Sequence, residues 1–128
     1  MGNLQEYDLN IDEKSIRQKV NLFTEKAKDS DNIEIRKKIF SLIDLTTLEV
    51  SDNDEKINSM VEKLNDFTRY YKDFSPVAAI CTYPLLLPTV AKKMKEKSIK
   101  KASVAGSFPS SQTFFELKLK EVEMVLDN

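Results

Sequence analysis

Histidine and tryptophan are absent from this 128-residue chain, cysteine occurs once, and glycine twice. Without histidine, Cys81 has no Cys–His dyad to join, and a zinc site loses its usual imidazole ligands. A single cysteine also rules out an internal disulfide. No apolar run approaches the ~20 residues that cross a bilayer. The N-terminus shows neither a basic stretch followed by an apolar one nor the Ser or Thr at position 6 that myristoylation requires, since Glu6 stands there. The expected location is therefore cytoplasmic. Neither sign of charge dominates: 20 basic residues face 21 acidic ones, for a net charge of -1. That balance provides no electrostatic reason to expect nucleic acid or a membrane surface as partner.

What is present is an ordinary globular composition, 41% hydrophobic and 32% charged, with few residues that mark flexible linkers. Ile16, Val20, Phe23 and Ala27 recur at helical spacing and predict a helix over 11–28, with Asn10 and Glu13 as its capping pair. The polar break at 29–32 separates it from a short helix over 33–40 that presents Ile35, Ile39 and Leu42. Residues 1–32 are read as an N-terminal helical cap or dimer-contact segment, and 33–128 as a second region.

From residue 41 the pattern alternates. Ser41–Leu45 reads as a strand. Asp54–Tyr71 reads as a helix with the stripe Ile57, Met60, Val61, Leu64, Phe67 and Tyr71, capped by Asp52 and Glu55. Val77–Cys81 is a continuous apolar run, the signature of a strand covered on both faces. Pro88 suits the first turn of a helix whose inner face is Val90, Ala91 and Met94. Lys100–Ala105 is the third strand and 106–112 its turn. A last helix, capped by Ser111 or Thr113, directs Phe115, Leu119, Val122 and Leu126 inward. The order β-α-β-α-β-α predicts an α/β fold with parallel strands.

In such folds reactive groups gather where strands end and βα loops begin. The candidates are Asp44, Thr46 and Leu48 after the first strand, Cys81, Thr82 and Tyr83 after the second, and Gly106–Gln112 after the third. Asp44 is notable because a carboxylate within Leu-Ile-Asp-Leu is costly to bury without a partner; an Asp capping a turn is the equally weighted plain reading. Cys81 is expected as a small hydrophobe in a pocket wall. The turn 106–111 contains one glycine and matches no established phosphate-loop pattern. The lysines at 92, 93, 95, 97, 100 and 101 read as a solvated surface.

Three segments in register carry a resemblance: Leu42-Ile43-Asp44-Leu45-Thr46-Thr47-Leu48, Ile80-Cys81-Thr82-Tyr83-Pro84, and Lys101-Ala102-Ser103-Val104-Ala105-Gly106-Ser107-Phe108-Pro109 with Gln112-Thr113. In sequence and order they resemble the first part of deoxyribose-phosphate aldolase, over about residues 33–126. The resemblance implies a partial TIM (β/α)8 barrel, comprising the first three βα units preceded by an N-terminal helical segment. It also implies a lyase that cleaves 2-deoxyribose 5-phosphate to glyceraldehyde 3-phosphate and acetaldehyde through a lysine Schiff base, with no metal or other cofactor and a sugar phosphate as ligand. Asp44 then lines the active site as its catalytic carboxylate, and Thr46, Leu48 and Cys81 contact substrate. Ser111 stands where that family commonly has glycine.

The family's Schiff-base lysine, activating lysine and relay aspartate lie on later strands and have no counterpart in residues 1–128. The chain alone is accordingly expected to be inactive, a truncated form, and, with its strand edges and an apolar face uncovered, marginal or a homo-oligomer. The competing reading is a non-catalytic α/β interaction or regulatory module that keeps the aldolase-like segment as scaffold. Assembly of separate fragments into one barrel is a third.

Overall fold

The computed structural model describes residues 11–127. The chain forms two compact units, 1–35 and 36–128.

In the first unit, α1 (Glu13–Ser30) is an 18-residue helix with no buried side chain. Its N-cap is Asp12, whose carboxylate accepts from the N–H groups of Lys14 (3.0 Å) and Ser15 (3.2 Å). Asn10, the cap expected from the sequence, lies outside the described residues. The helix outlasts the expected polar break by running through Asp29 and Ser30. Asn32 Oδ1 accepts from Ile35 N at 3.0 Å and starts α2 (Ile33–Phe40). Helix α2 runs on into the second unit, and its Ile35 and Ile39 are exposed, as is Leu42 beyond them.

In the second unit, three parallel strands stand in the order β1-β2-β3: β1 (Asp44–Thr46), β2 (Ala79–Thr82) and β3 (Lys100–Ser103). Helix α3 (Asp54–Tyr70) links β1 to β2, and a 3₁₀ turn (Pro84–Leu86) with α4 (Leu87–Lys93) links β2 to β3. Helix α5 (Phe115–Leu126) follows β3. The α/β class and the strand order match the reading of the sequence. β1 begins three residues later than expected because Ser41, Leu42 and Ile43 donate back to Lys37, Ile39 and Phe40, extending the turn out of α2.

One face of the sheet carries the core: Ile57, Val61 and Leu64 of α3, Ile80 of β2, Leu86 and Val90 around α4, with Val77 and Ile99. Each such side chain contributes ~1.5–3 kcal/mol relative to exposure. Asn53, not Asp52, caps α3, accepting from Lys56 N at 3.0 Å. Asn65 fastens α3 to the turn after α4: its Nδ2 donates to Lys93 O (3.0 Å), and its Oδ1 accepts from Lys95 N (2.7 Å) and Glu96 N (3.1 Å). Phe40 stacks on Phe67 at 5.1 Å between ring centroids, and Phe67 meets Tyr71 at 5.0 Å. Tyr71 itself stays 56% exposed.

Helix α5 departs most from expectation. Its N-cap is Phe114, with no side-chain cap, in place of Ser111 or Thr113. None of its residues is buried, so Phe115, Leu119, Val122 and Leu126 are exposed rather than inward. No described helix is long and apolar enough to cross a membrane.

Candidate functional site

The strand register sorts the chemistry. Asp44 pairs with Ala79 and Thr46 with Cys81, while Ala79 and Cys81 pair in turn with Lys100 and Ala102. Neighbours in a parallel ladder share a face and side chains alternate along each strand. Asp44, Thr46, Cys81 and Lys100 therefore lie on one face, and Leu45, Ile80 and Thr82 on the helix-covered one. Of the sequence candidates, Asp44, Thr46 and Cys81 are thus brought together. Asp44 opens β1 instead of ending it, so it sits two register rows below the Thr46–Cys81 pair. Asp44 and Thr46 are exposed, and Cys81 is 8% exposed.

Burial raises the pKa of the Cys81 thiol above its ordinary value, and the Asp44 carboxylate adds to the rise; hydrogen bonds from Thr46 and the Val104 backbone oppose it more weakly. A thiol held protonated is a poor nucleophile. The cluster is thus suited to hydrogen-bonding a hydroxylated ligand through Asp44 and Thr46, with Cys81 as a wall.

The fourth candidate, Leu48, lies on the loop between β1 and α3. That loop is fastened at three points. Thr47 N donates to Cys81 O at 3.0 Å, and the Tyr83 hydroxyl donates to Leu48 O at 3.1 Å. The third fastening is Asp52, which sequence reasoning assigned to a helix cap. Its side chain is 1% exposed and accepts from the Thr47 hydroxyl (2.9 and 3.0 Å), Glu49 N (3.0 Å) and Lys56 Nζ (2.5 Å). Lys56 also reaches Glu49 Oε2 at 2.9 Å. The Lys56 ammonium chiefly holds the Asp52 carboxyl below its usual range, and Asp52 in turn raises Lys56. The signal that could have identified this network is the Thr47/Asp52/Lys56 spacing, in which Lys56 lies one helical turn after Asp52. An open cavity of about 490 Å³ lies beside this loop, between Glu49, Val50 and Asp52 and the segment Tyr83–Leu86, with Glu121 at its edge.

After β3 the backbone turns left-handed at Gly106 (φ 70°), Ser107 (φ 60°) and Ser111 (φ 55°). Ser111 thus adopts the conformation that glycine takes most easily. Two α5 side chains hold the turn: Glu121 Oε2 accepts from Ser107 N at 2.9 Å, and Lys118 Nζ donates to Ser111 O and Oγ, both at 3.0 Å. With Ser107 N already engaged by a carboxylate of the chain itself, the turn is a structural joint. Among the described residues no group of three or more His, Cys, Asp or Glu side chains is placed to hold a metal.

No family profile matches the chain. It is 27% identical over 94% of its length to a Caenorhabditis elegans protein provisionally named deoxyribose-phosphate aldolase, and 29% identical over 71% of its length to human deoxyribose-phosphate aldolase. It spans 40% and 32% of these two relatives. A Coccidioides immitis crystal structure, also provisionally named deoxyribose-phosphate aldolase, superposes on 71% of the chain with a TM-score of 0.58 at 15% identity, covering 32% of that protein. At that identity the superposition speaks for the fold. Together the sequence relatives bear out the resemblance to the deoxyribose-phosphate aldolase family that the three motifs carry.

Proposed function

We propose that this chain forms the first three βα units of a deoxyribose-phosphate aldolase barrel, and that Asp44, Thr46, Leu48 and Cys81 line its sugar-phosphate site. The observation that supports this reading best is the clustering of Asp44, Thr46 and Cys81 on the uncovered sheet face, within segments that resemble the aldolases in order and spacing. The reaction in view is aldol cleavage of 2-deoxyribose 5-phosphate through a Schiff base. In this reading the amine that forms the Schiff base belongs to strands beyond the three described here. Asp44 then hydrogen-bonds a substrate hydroxyl or the protonated Schiff base, since a nearby carboxylate favours the charged form of a nitrogen base. Thr46 supplies a hydroxyl, and Leu48 and Cys81 supply apolar wall.

The test is a chimera. Residues 33–126 replace the matching segment of human deoxyribose-phosphate aldolase, and cleavage of 2-deoxyribose 5-phosphate is followed. The expected result is a folded, active chimera in which Asp44→Asn lowers kcat by about 10²-fold or more, the scale of losing a positioned acid–base group. A folded chimera indifferent to Asp44→Asn overturns the assignment. Borohydride reduction with acetaldehyde is the companion measurement: no lysine of the 128-residue chain should carry an adduct.

A further inference from the structure

The apolar stripe of α1 belongs to none of the chemistry above. Ile16, Val20 and Phe23 are 51%, 55% and 65% exposed, and Ala27 is exposed too. Their spacing of four, three and four residues is the alternating a/d spacing of a two-stranded coiled-coil seam. Ile16 and Phe23 occupy d positions, and Val20 and Ala27 occupy a positions. We propose that α1 pairs with α1 of a second copy of this chain, in parallel and in register along this seam.

Charge selects that partner and that orientation. In a parallel pair each g position faces the e position five residues on in the other copy. Asp12 then faces Arg17 and Lys19 faces Thr24, while Asp31 is the C-cap beyond the end of α1 and lies outside the register. One of the two pairs is of opposite sign and neither is of like sign. An antiparallel pair that keeps all four seam residues in contact sets Lys19 against Lys26 of the other copy, twice by symmetry, and Arg17 against Thr24. Arg17 is available for the exchange: its present pair with Glu13 is 3.7 Å long and about four-fifths exposed on both sides. Asp12 uses only Oδ1 for its two cap bonds. The seam covers only about two heptads, so association is weak and depends on protein concentration.

The test uses the full chain in analytical ultracentrifugation across the micromolar range, at low and high salt. The expected result is a monomer–dimer equilibrium that weakens with salt. Phe23→Asp should abolish it while the melt of the second unit is unchanged. Arg17→Glu should weaken it by about tenfold, because two attractive exposed pairs become repulsive, whereas Lys19→Glu should leave it unaltered. A gain of affinity in Lys19→Glu with indifference to Arg17→Glu would mean an antiparallel pair. Val20→Cys should form a disulfide between identical positions of two copies under mild oxidation. A monomer at every concentration, a dimer insensitive to Phe23→Asp, the reversed charge pattern, or failure of the introduced thiols to join would each overturn the proposal.

Discussion

Truncating Ile80 to alanine is the sharpest test of how the second unit holds together. Ile80 is 0% exposed in the central strand, and it belongs to one core cluster with Ile57, Val61 and Leu64 of α3 and Val90 of α4. Removing a buried isoleucine down to its Cβ costs about 2–5 kcal/mol, and the upper half applies where surrounding elements cannot close the gap. Here two helices and a sheet converge, so about 3–4 kcal/mol is expected. At 0.05–0.15 kcal/mol per residue, the 93 residues of this unit have a total stability of about 5–14 kcal/mol. The substitution therefore removes about a fifth of it or more. Ile80→Val should cost only about 1 kcal/mol. Val50→Ala, at a fully exposed side chain, should stay within ~0.5 kcal/mol of the parent. Urea unfolding followed by far-UV circular dichroism reads all three, and a falling midpoint with an unchanged slope marks lost packing without a changed denatured state. A loss below about 1 kcal/mol for Ile80→Ala would refute the assignment of β2 as the buried centre of the sheet.

Three further outcomes follow from the site geometry. Iodoacetamide modification of Cys81 should proceed with an apparent pKa above that of a free thiol; Asp44→Asn should lower it modestly, since burial is the larger cause, and no movement would separate the two residues. Asp52 has its pKa lowered on folding, so its stabilisation is complete above the ordinary value of 3.8 and fades as pH falls through the depressed folded value. Asp52→Asn should therefore lower the urea midpoint clearly at pH 7 and less at pH 3, and an equal gap at both would remove the Lys56 pairing from the argument. Ser111→Gly should raise stability by up to about 1 kcal/mol in thermal melts, because the left-handed backbone penalises a Cβ; a clear loss would show that the Lys118 contacts outweigh the strain.

Those predictions rest on features that were unevenly legible in the sequence. Helix α3 was clear because Ile57, Val61 and Leu64 repeat with one period and nothing nearby competes. β2 was clear because Val77–Cys81 is too short for a helix and is bounded by Pro76 and Pro84. The caps were not. The run Ser51-Asp52-Asn53-Asp54 offers several side chains able to cap α3, and the choice is made by groups outside it. Thr47, Glu49 N and Lys56 converge on Asp52 and draw it inward, leaving Asn53 as the cap. α5 defeated periodicity for a different reason. Phe115, Leu117, Leu119, Val122, Met124 and Leu126 surround the helix, so spacing cannot say which face turns inward, and all six are exposed. The shared face of Asp44 and Cys81 was anticipated, but the position of Asp44 along β1 was not, because the turn out of α2 takes three residues that look like strand.

The two faces of the sheet make opposite demands on the rest of the molecule. The helix-covered face is apolar and closed, and the only charged residue of its register rows, Lys101, sits on the edge strand. The other face carries a carboxylate, a hydroxyl, a thiol and an ammonium in a few register rows, and Asp44 and Thr46 remain in water. A carboxylate in water interacts weakly with a partner a few ångströms away, since the same pair is several times stronger where the effective dielectric falls. Catalytic use of Asp44 therefore requires further protein over this face, which excludes water and brings the amine within hydrogen-bonding distance. The barrel reading supplies that cover with further strands, joined at the free edges of β1 and β3. The loop network around Asp52 fits the same demand: it fixes Thr47 and Leu48 at the rim before any cover is present, so the rim need not be ordered when the site closes.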